Sequence, residues 1–234
     1  MESDFFKNQP EGERLAILLP CYNEGKTIAQ VVVNFRKTFP FARIFVYDFG
    51  SSDDTAAQAR LAGARVVHCR RKGKGNVVRQ MFADIDAEVY VMADGDGTYD
   101  HTAAPCLVAA LITERVDMVV GKRHYHNKNG ERFGHAAGNR LFNKIYNRLF
   151  GDDFTDIFSG YRAFTRRFVK SFPAESHGFE IETEMSVYAS SLRLPVAEKA
   201  ITYGERIEGS ESKLSTIKEG IRIFLSMVML LIEN

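Results

Sequence analysis

Several features are missing from this chain, and each absence removes a class of protein. There is no surplus of either charge: 31 Lys plus Arg stand against 30 Asp plus Glu, so no global field draws in nucleic acid or an acidic partner. Cysteine is scarce and odd in number. Cys21, Cys69 and Cys106 are widely spaced in apolar or strand-like surroundings, which provides neither a disulfide framework nor a zinc site and points to a reducing cytoplasm. The opening residues 1–14, MESDFFKNQPEGER, lack a basic start and an apolar core; they read as a short solvated lead-in, not a signal peptide. No run reaches the roughly 18 apolar residues of a transmembrane helix. The nearest approach, Ile223 to Ile232, is interrupted only by Ser226. It predicts an amphipathic helix over 214–234 that packs on the domain, lies at a membrane interface or leads on to membrane spans. Proline-rich or serine-rich linkers and internal repeats are missing too, so the chain reads as one domain.

What is present has an ordered alternation. Across 234 residues, 45% apolar and 26% charged, β-rich runs alternate with helix-period segments: RLAILLP, then GKTIAQVVVNFRKTF; RIFVYD, then SDDTAAQARLAG; ARVVH, then GKGNVVRQMFADI; EVYVMAD, then TAAPCLVAALITE; then DMVVG. Strands spaced this way predict an α/β fold with a mostly parallel sheet covered by helices on both faces. In such sheets ligands bind at the carboxyl ends of the strands, and the unusual polar residues fall there: Tyr22 to Glu24, Asp48, Asp94 with Asp96, and Arg123. After Gly121 come a basic, aromatic helical stretch over about 132–150, the short segment SGYRAFTRR, a helix from about 180 and the strand-like PVAEKAITYGER. This second lobe is expected to cover one side of the cleft.

Asp94, Asp96 and Asp100 follow strand four within seven positions. Ionised together they repel, and need water, hydrogen bonds or a cation. Their oxygens suit Mg²⁺ or Mn²⁺; the plainer reading is a solvated turn that caps the helix near His101. In PCYNEGKT, Tyr22 offers a face for a base and Glu24 an acceptor for a ribose hydroxyl, against a helix entrance capped by Asn23. Asp48 is the better base reader, while Asp53 and Asp54 read as first-turn helix acids after a Ser52 cap. RRKGKGNVVRQ sets Arg70, Arg71, Lys72 and Lys74 around two glycines, either a phosphate cradle or a basic helix start, and it is not a Walker A loop. Glu180 and Glu184 share a helix face, with Glu182 turned away: they orient arginines across the cleft or are surface charge. His124, His126 and His135 read as loop or helix-surface residues, because a diphosphate-binding cation prefers oxygen.

PCYNE, D-x-GSSDDT, GKGN, ADGDGTYD, GKR, GNRLFN, TDIFSGYRAF, GFEIETE and GSESKLS, in this order and spacing, resemble family 2 glycosyltransferases of the GT-A (Rossmann-like) fold, and within them the polyprenyl-phosphate sugar transferases typified by dolichyl-phosphate mannosyltransferase. The resemblance implies a domain over 15–213, with a nucleotide-sugar lobe over about 15–123 and an acceptor lobe over about 124–213. It implies that Pro20, Tyr22, Glu24 and Asp48 hold the nucleoside of a UDP- or GDP-sugar. Asp94 and Asp96 match the metal and diphosphate motif, and Lys74, Arg206 and Lys213 the basic groups at the diphosphate. Thr98 stands where some relatives carry a further metal ligand, and Phe49 where they often carry a polar residue. Arg123, Arg140 and Arg162 match or neighbour positions that hold an acceptor phosphate, with an amphipathic helix's wet face as the plain reading of Arg140 and Arg148. Asp156 resembles a carboxylate assigned to acceptor binding or general-base work, or else caps the turn before Ser159.

The implied chemistry is inverting transfer from a nucleotide-diphosphate sugar, with Asp96, Asp156 and Arg206 as the catalytic set, at the cytoplasmic face of a membrane. Polyprenyl phosphate is the expected acceptor; a glycan hydroxyl, which would need a base, is the runner-up. A sugar nucleotidyltransferase and a non-enzymatic nucleotide-sugar sensor stand further off.

Overall fold

The computed structural model describes residues 14–125, 133–204, 220, 222–225 and 227–228. Strands β1 (Leu15–Cys21), β2 (Arg43–Asp48), β3 (Arg65–His68), β4 (Val89–Met92), β5 (Met118–Tyr125), β6 (Arg162–Thr165) and β7 (Val196–Tyr203) form one sheet in the order β3-β2-β1-β4-β6-β5-β7. Helices α1 (Ile28–Thr38), α2 (Thr55–Leu61), α3 (Lys74–Asp84), α4 (Ala104–Thr113), α5 (Phe133–Phe150), α6 (Arg166–Ser171) and α7 (Ile181–Ser191) supply its cover.

Every residue of β1 is buried, which explains why it reads as an unbroken apolar run: both faces of the strand are covered. The period of two sorts its side chains into separate cores. Ala16 and Leu18 join Phe45, Tyr47, Tyr90 and Met92 beneath α3, α5 and α7. Ile17 and Leu19 join Ile44, Val46, Val89 and Val91 beneath α1 and α4. The edge strand β3 has no fully buried residue, as fits a strand paired on one side.

Two departures from the sequence expectation shape the site. The segment SGYRAFTRR contains a strand, β6, inserted antiparallel between β4 and β5. At four residues, one of them an arginine, it leaves little periodicity to detect. Strand five does not end at Gly121 either. Its ladder with β7 continues through Arg123 to Tyr125, so Arg123 lies within a strand and not beyond its end. Of the C-terminal segment, Ile223 and Met227 are buried in the core shared with α5 and α7. Among the described residues no helix is long and apolar enough to cross a membrane.

Candidate active site

The loops after β1 and β2 lock together through backbone donors. Asn23 N–H donates to Ser51 Oγ at 2.8 Å, Glu24 N–H to Thr55 Oγ1 at 2.8 Å and Gly25 N–H to Asp53 Oδ2 at 2.9 Å, while Asn23 Oδ1 accepts from Ser52 N–H at 2.8 Å. This corrects the capping assignments. Asn23 has a positive φ of 52° and α1 begins only after Thr27, so its side chain joins two loops instead of starting a helix. Asp53 precedes α2 and accepts from Thr55 N–H at 3.0 Å; it is a clamp between the loops. The result is a stiff rim on which Tyr22 and Phe49 stack, centroids 5.2 Å apart and planes 19° apart. Phe49, the departure from the family pattern, thus builds an aromatic step. Asp48, 3% exposed, accepts from Ser51 N–H and Oγ–H through one oxygen, and its other oxygen is 3.3 Å from His68 Nδ1. Pro20 is buried in β1 opposite Tyr47. Glu24 is buried, its side chain beside Gly95 of the acidic turn.

That turn gives its three aspartates three different tasks. Asp100 caps a single 3₁₀ turn (His101–Ala103), accepting from Thr102 N–H at 2.9 Å; the plain capping reading holds for this residue. Asp96, 2% exposed, accepts from Thr98 N–H at 3.1 Å and Thr98 Oγ–H at 2.6 Å. Gly97, at φ +77°, makes that fold-back possible. Asp94 Oδ1 is 2.5 Å from Lys74 Nζ, and the same ammonium is 2.5 Å from Glu182 Oε1. Burial opposes the charge on Lys74, but Asp94 and Glu182 outweigh it and hold its pKa above the ordinary value.

Asp94 and Asp96 present hard oxygen donors, and among the described residues no group of three or more His, Cys, Asp or Glu gathers to enclose an ion. Two carboxylates on one tight turn have the donor chemistry for a cation of the Mg²⁺ or Mn²⁺ kind, which takes its remaining ligands from water and from substrate phosphates.

The basic loop before α3 is not the open cradle its sequence allows. Gly75 N–H and Asn76 N–H, at the start of α3, donate to the carbonyls of Gly178 at 3.1 Å and His177 at 3.4 Å, so those donors are used within the protein. Lys74, expected at the diphosphate, is held by two carboxylates instead.

On the acceptor side, Arg123 grips Asp156 in a fork: Nε to Oδ2 at 2.8 Å and Nη2 to Oδ1 at 2.7 Å, with Arg123 N–H also donating to Oδ2 at 3.1 Å. Burial would raise the Asp156 pKa, yet the hydrogen bonds and charge of Arg123 leave it below the ordinary carboxylate value. Glu198, on β7, fixes the loop from behind, accepting from Thr155 N–H at 2.9 Å and Asp156 N–H at 3.0 Å. The Arg123 guanidinium lies 5.4 Å over the Tyr203 ring, which meets Tyr99 of the acidic turn at 5.1 Å. The acidic turn and the arginine fork therefore share one aromatic wall.

Two expected acceptor arginines are placed elsewhere. Arg162 is 0% exposed and donates to the carbonyls of Ser159 and Ile157, both at 2.8 Å, and to Ser186 Oγ at 3.1 Å. On β6 its side chain points under the helices, where no ligand reaches; it holds the Asp156 loop. Arg140 is exposed on α5 with Lys144 and Arg148. Arg206 and Lys213 lie outside the described residues.

Glu182 reverses expectation. Glu180 and Glu184 turn inward to the 175–178 backbone, and Glu182, read as facing away, meets Lys74. Residues Ile181–Val187 of α7 are buried all round, so a helix-face argument fails; three acids at alternate positions in a helix with no wet side were the available signal. Tyr99, Tyr203 and Glu198 were also missed.

Comparison with known proteins adds three findings. The model of glycosyl transferase family 2 matches residues 16–172. Glycosyltransferase AglJ of Haloferax volcanii is 40% identical over 220 residues, covering 93% of this chain and 72% of that protein; a dolichyl-phosphate hexose transferase of the same organism is 30% identical, covering 94% and 95%. Glucosyl-3-phosphoglycerate synthase of Mycobacterium tuberculosis superposes with a TM-score of 0.77 at 22% identity, covering 94% of this chain and 80% of that one; it has also been crystallised with Mn²⁺ and uridine diphosphate.

Proposed function

This chain belongs to glycosyl transferase family 2 and is a glycosyltransferase with the GT-A fold, and from that premise we propose that it transfers a sugar, with inversion, from a UDP- or GDP-sugar to a polyprenyl phosphate presented at a membrane surface. The likeness to a dolichyl-phosphate hexose transferase supports the acceptor class. Family membership removes the nucleotidyltransferase reading.

The observation that carries the acceptor assignment is the Arg123–Asp156 fork. Both Asp156 oxygens accept from Arg123, so the carboxylate faces the guanidinium and not a substrate hydroxyl. A sugar hydroxyl needs a base. A phosphate monoester does not, since its second pKa is near 6, and a guanidinium held in place by a carboxylate still offers its permanent positive charge to a phosphate dianion. In this mechanism Asp156 orients Arg123, Arg123 receives the acceptor phosphate beside Tyr203, and the phosphate oxygen attacks the anomeric carbon without prior proton transfer.

On the donor side, Tyr22 and Phe49 take the base face, Asp48 accepts from a base N–H, and Glu24 accepts from a ribose hydroxyl. A divalent ion, when bound by Asp94 and Asp96, supplies charge stabilisation for the departing diphosphate. Arg206 and Lys213 serve the same leaving group. The basic face of α5 supports the membrane setting: Phe133–Phe150 contains Arg140, Lys144 and Arg148 and no Asp or Glu, with Leu141 58% exposed among them.

The deciding assay offers polyprenyl phosphate and a phosphate-free oligosaccharide in parallel, each with a panel of UDP- and GDP-sugars and Mn²⁺. Transfer to the lipid phosphate alone is the expected result; transfer to the oligosaccharide alone overturns the acceptor assignment.

A further inference from the structure

The three glutamates at the start of α7 divide their work. Glu184 accepts from the N–H groups of Glu175 and Ser176, both at 2.7 Å, and Glu180 from those of His177 at 3.2 Å and Gly178 at 2.9 Å. Together they hold the 175–178 loop against the start of α3, so closely that a Cβ on Gly75 would overlap the Ser176 carbonyl oxygen. Glu182 is directed elsewhere, to Lys74. The Lys74 side chain is enclosed: residue exposure is 5%, the Phe179 ring lies 5.9 Å from Nζ, and a Cβ on Gly160 would stand 3.0 Å from Nζ and 3.1 Å from Asp94 Oδ2. One ammonium thus meets two carboxylates. The three groups carry a surplus negative charge, and buried charge without compensation is costly. Asp94, whose side chain is 27% exposed against 5% for Glu182, is the member that reaches the rim.

We propose that Lys74 and Glu182 are a positioning pair for the acidic turn: Lys74 fixes the side chain of Asp94, and Glu182 draws off part of the ammonium's charge, so that the pair tunes how firmly Asp94 and Asp96 hold a divalent cation. The inference rests on the metal reading above. Lys74 is then neither a donor-phosphate ligand nor a core cation; it is the element that sets Asp94's effective charge. The two partners act in opposite senses. Losing the Glu182 charge gives Asp94 the whole ammonium and weakens the cation site. Losing the Lys74 charge removes a competing cation at contact distance and strengthens it.

Mn²⁺ binding to the substrate-free protein, measured by electron paramagnetic resonance of the free ion, tests this without turnover. Glu182→Gln is expected to bind Mn²⁺ severalfold more weakly than wild type, and Lys74→Gln, which removes the nearer charge, about tenfold more tightly, effects of the size expected for one charge a few ångströms away under water-like screening. Glu184→Gln, which loses only loop contacts, keeps wild-type Mn²⁺ affinity and has a lower melting temperature. Wild-type affinity in both Glu182→Gln and Lys74→Gln, or weakening in both, overturns the pair and leaves the metal reading standing. Absence of Mn²⁺ binding by the wild type overturns the metal reading and the pair with it. If Glu182→Gln does not fold, Lys74→Gln decides alone: tighter binding supports the pair, and unchanged or weaker binding overturns it.

Discussion

At the scale of single residues, burial separates the arginines that the sequence treats alike. Arg162 is enclosed and spends its donors on carbonyls, so Arg162→Met leaves those acceptors unsatisfied and is predicted to cost about 3 kcal/mol or more. Urea denaturation measures this; a variant as stable as wild type contradicts the assigned role. Asp156→Asn tests the chemistry. If the acceptor arrives ionised, turnover falls about tenfold or less, through looser Arg123; loss of a general base costs more, on the order of a hundredfold to ten-thousandfold. The same carboxylate makes a pH prediction. Its folded pKa is depressed, so its contribution to stability is complete above the ordinary Asp value of about 4 and is lost as pH falls through the lower folded value. Melting temperatures between pH 5.5 and pH 3 are expected to drop more steeply for wild type than for Asp156→Asn; parallel curves contradict this.

At the scale of elements, contacts made by backbone were the hardest to foresee. The basic loop looks open in sequence, but its helix-start donors are taken by the 177–178 carbonyls, an event over 100 residues away in the chain. A Cβ at Gly75 meets the Ser176 carbonyl, so Gly75→Ala is predicted to cost about 1–3 kcal/mol by overpacking, read as a lower urea midpoint; an unchanged midpoint contradicts the packing. Helix α5 offers the contrary case, where sequence and structure agree on an exposed cationic face. Replacing Arg140, Lys144 and Arg148 together with Gln is predicted to weaken cosedimentation with anionic vesicles by on the order of a hundredfold, given the contribution of each cation near such a surface. Equal binding by variant and wild type removes α5 from the membrane account.

At the scale of the whole molecule, the alternation of apolar runs and helical segments was enough for the α/β class, because parallel strands buried on both faces announce themselves as runs such as LAILLPC. The carboxyl ends of β1, β2 and β4 were likewise legible, since Tyr22 follows β1, Asp48 closes β2 and Asp94 stands two residues beyond β4. What stayed hidden was the second lobe's wiring. Strand β6 is too short to show a period, and the placement of Arg162 under the helices depends on its antiparallel insertion. The central claim is that the carboxyl ends of these strands bind a nucleotide diphosphate through a cation held by Asp94 and Asp96. Isothermal titration of UDP- and GDP-sugars, with and without Mn²⁺, into wild type and Asp96→Asn tests it most directly. The account predicts one nucleotide sugar that binds wild type only with Mn²⁺ present and binds the folded Asp96→Asn variant at least tenfold more weakly. Donor binding that is equally tight without the ion, or indifferent to the loss of Asp96, would contradict it.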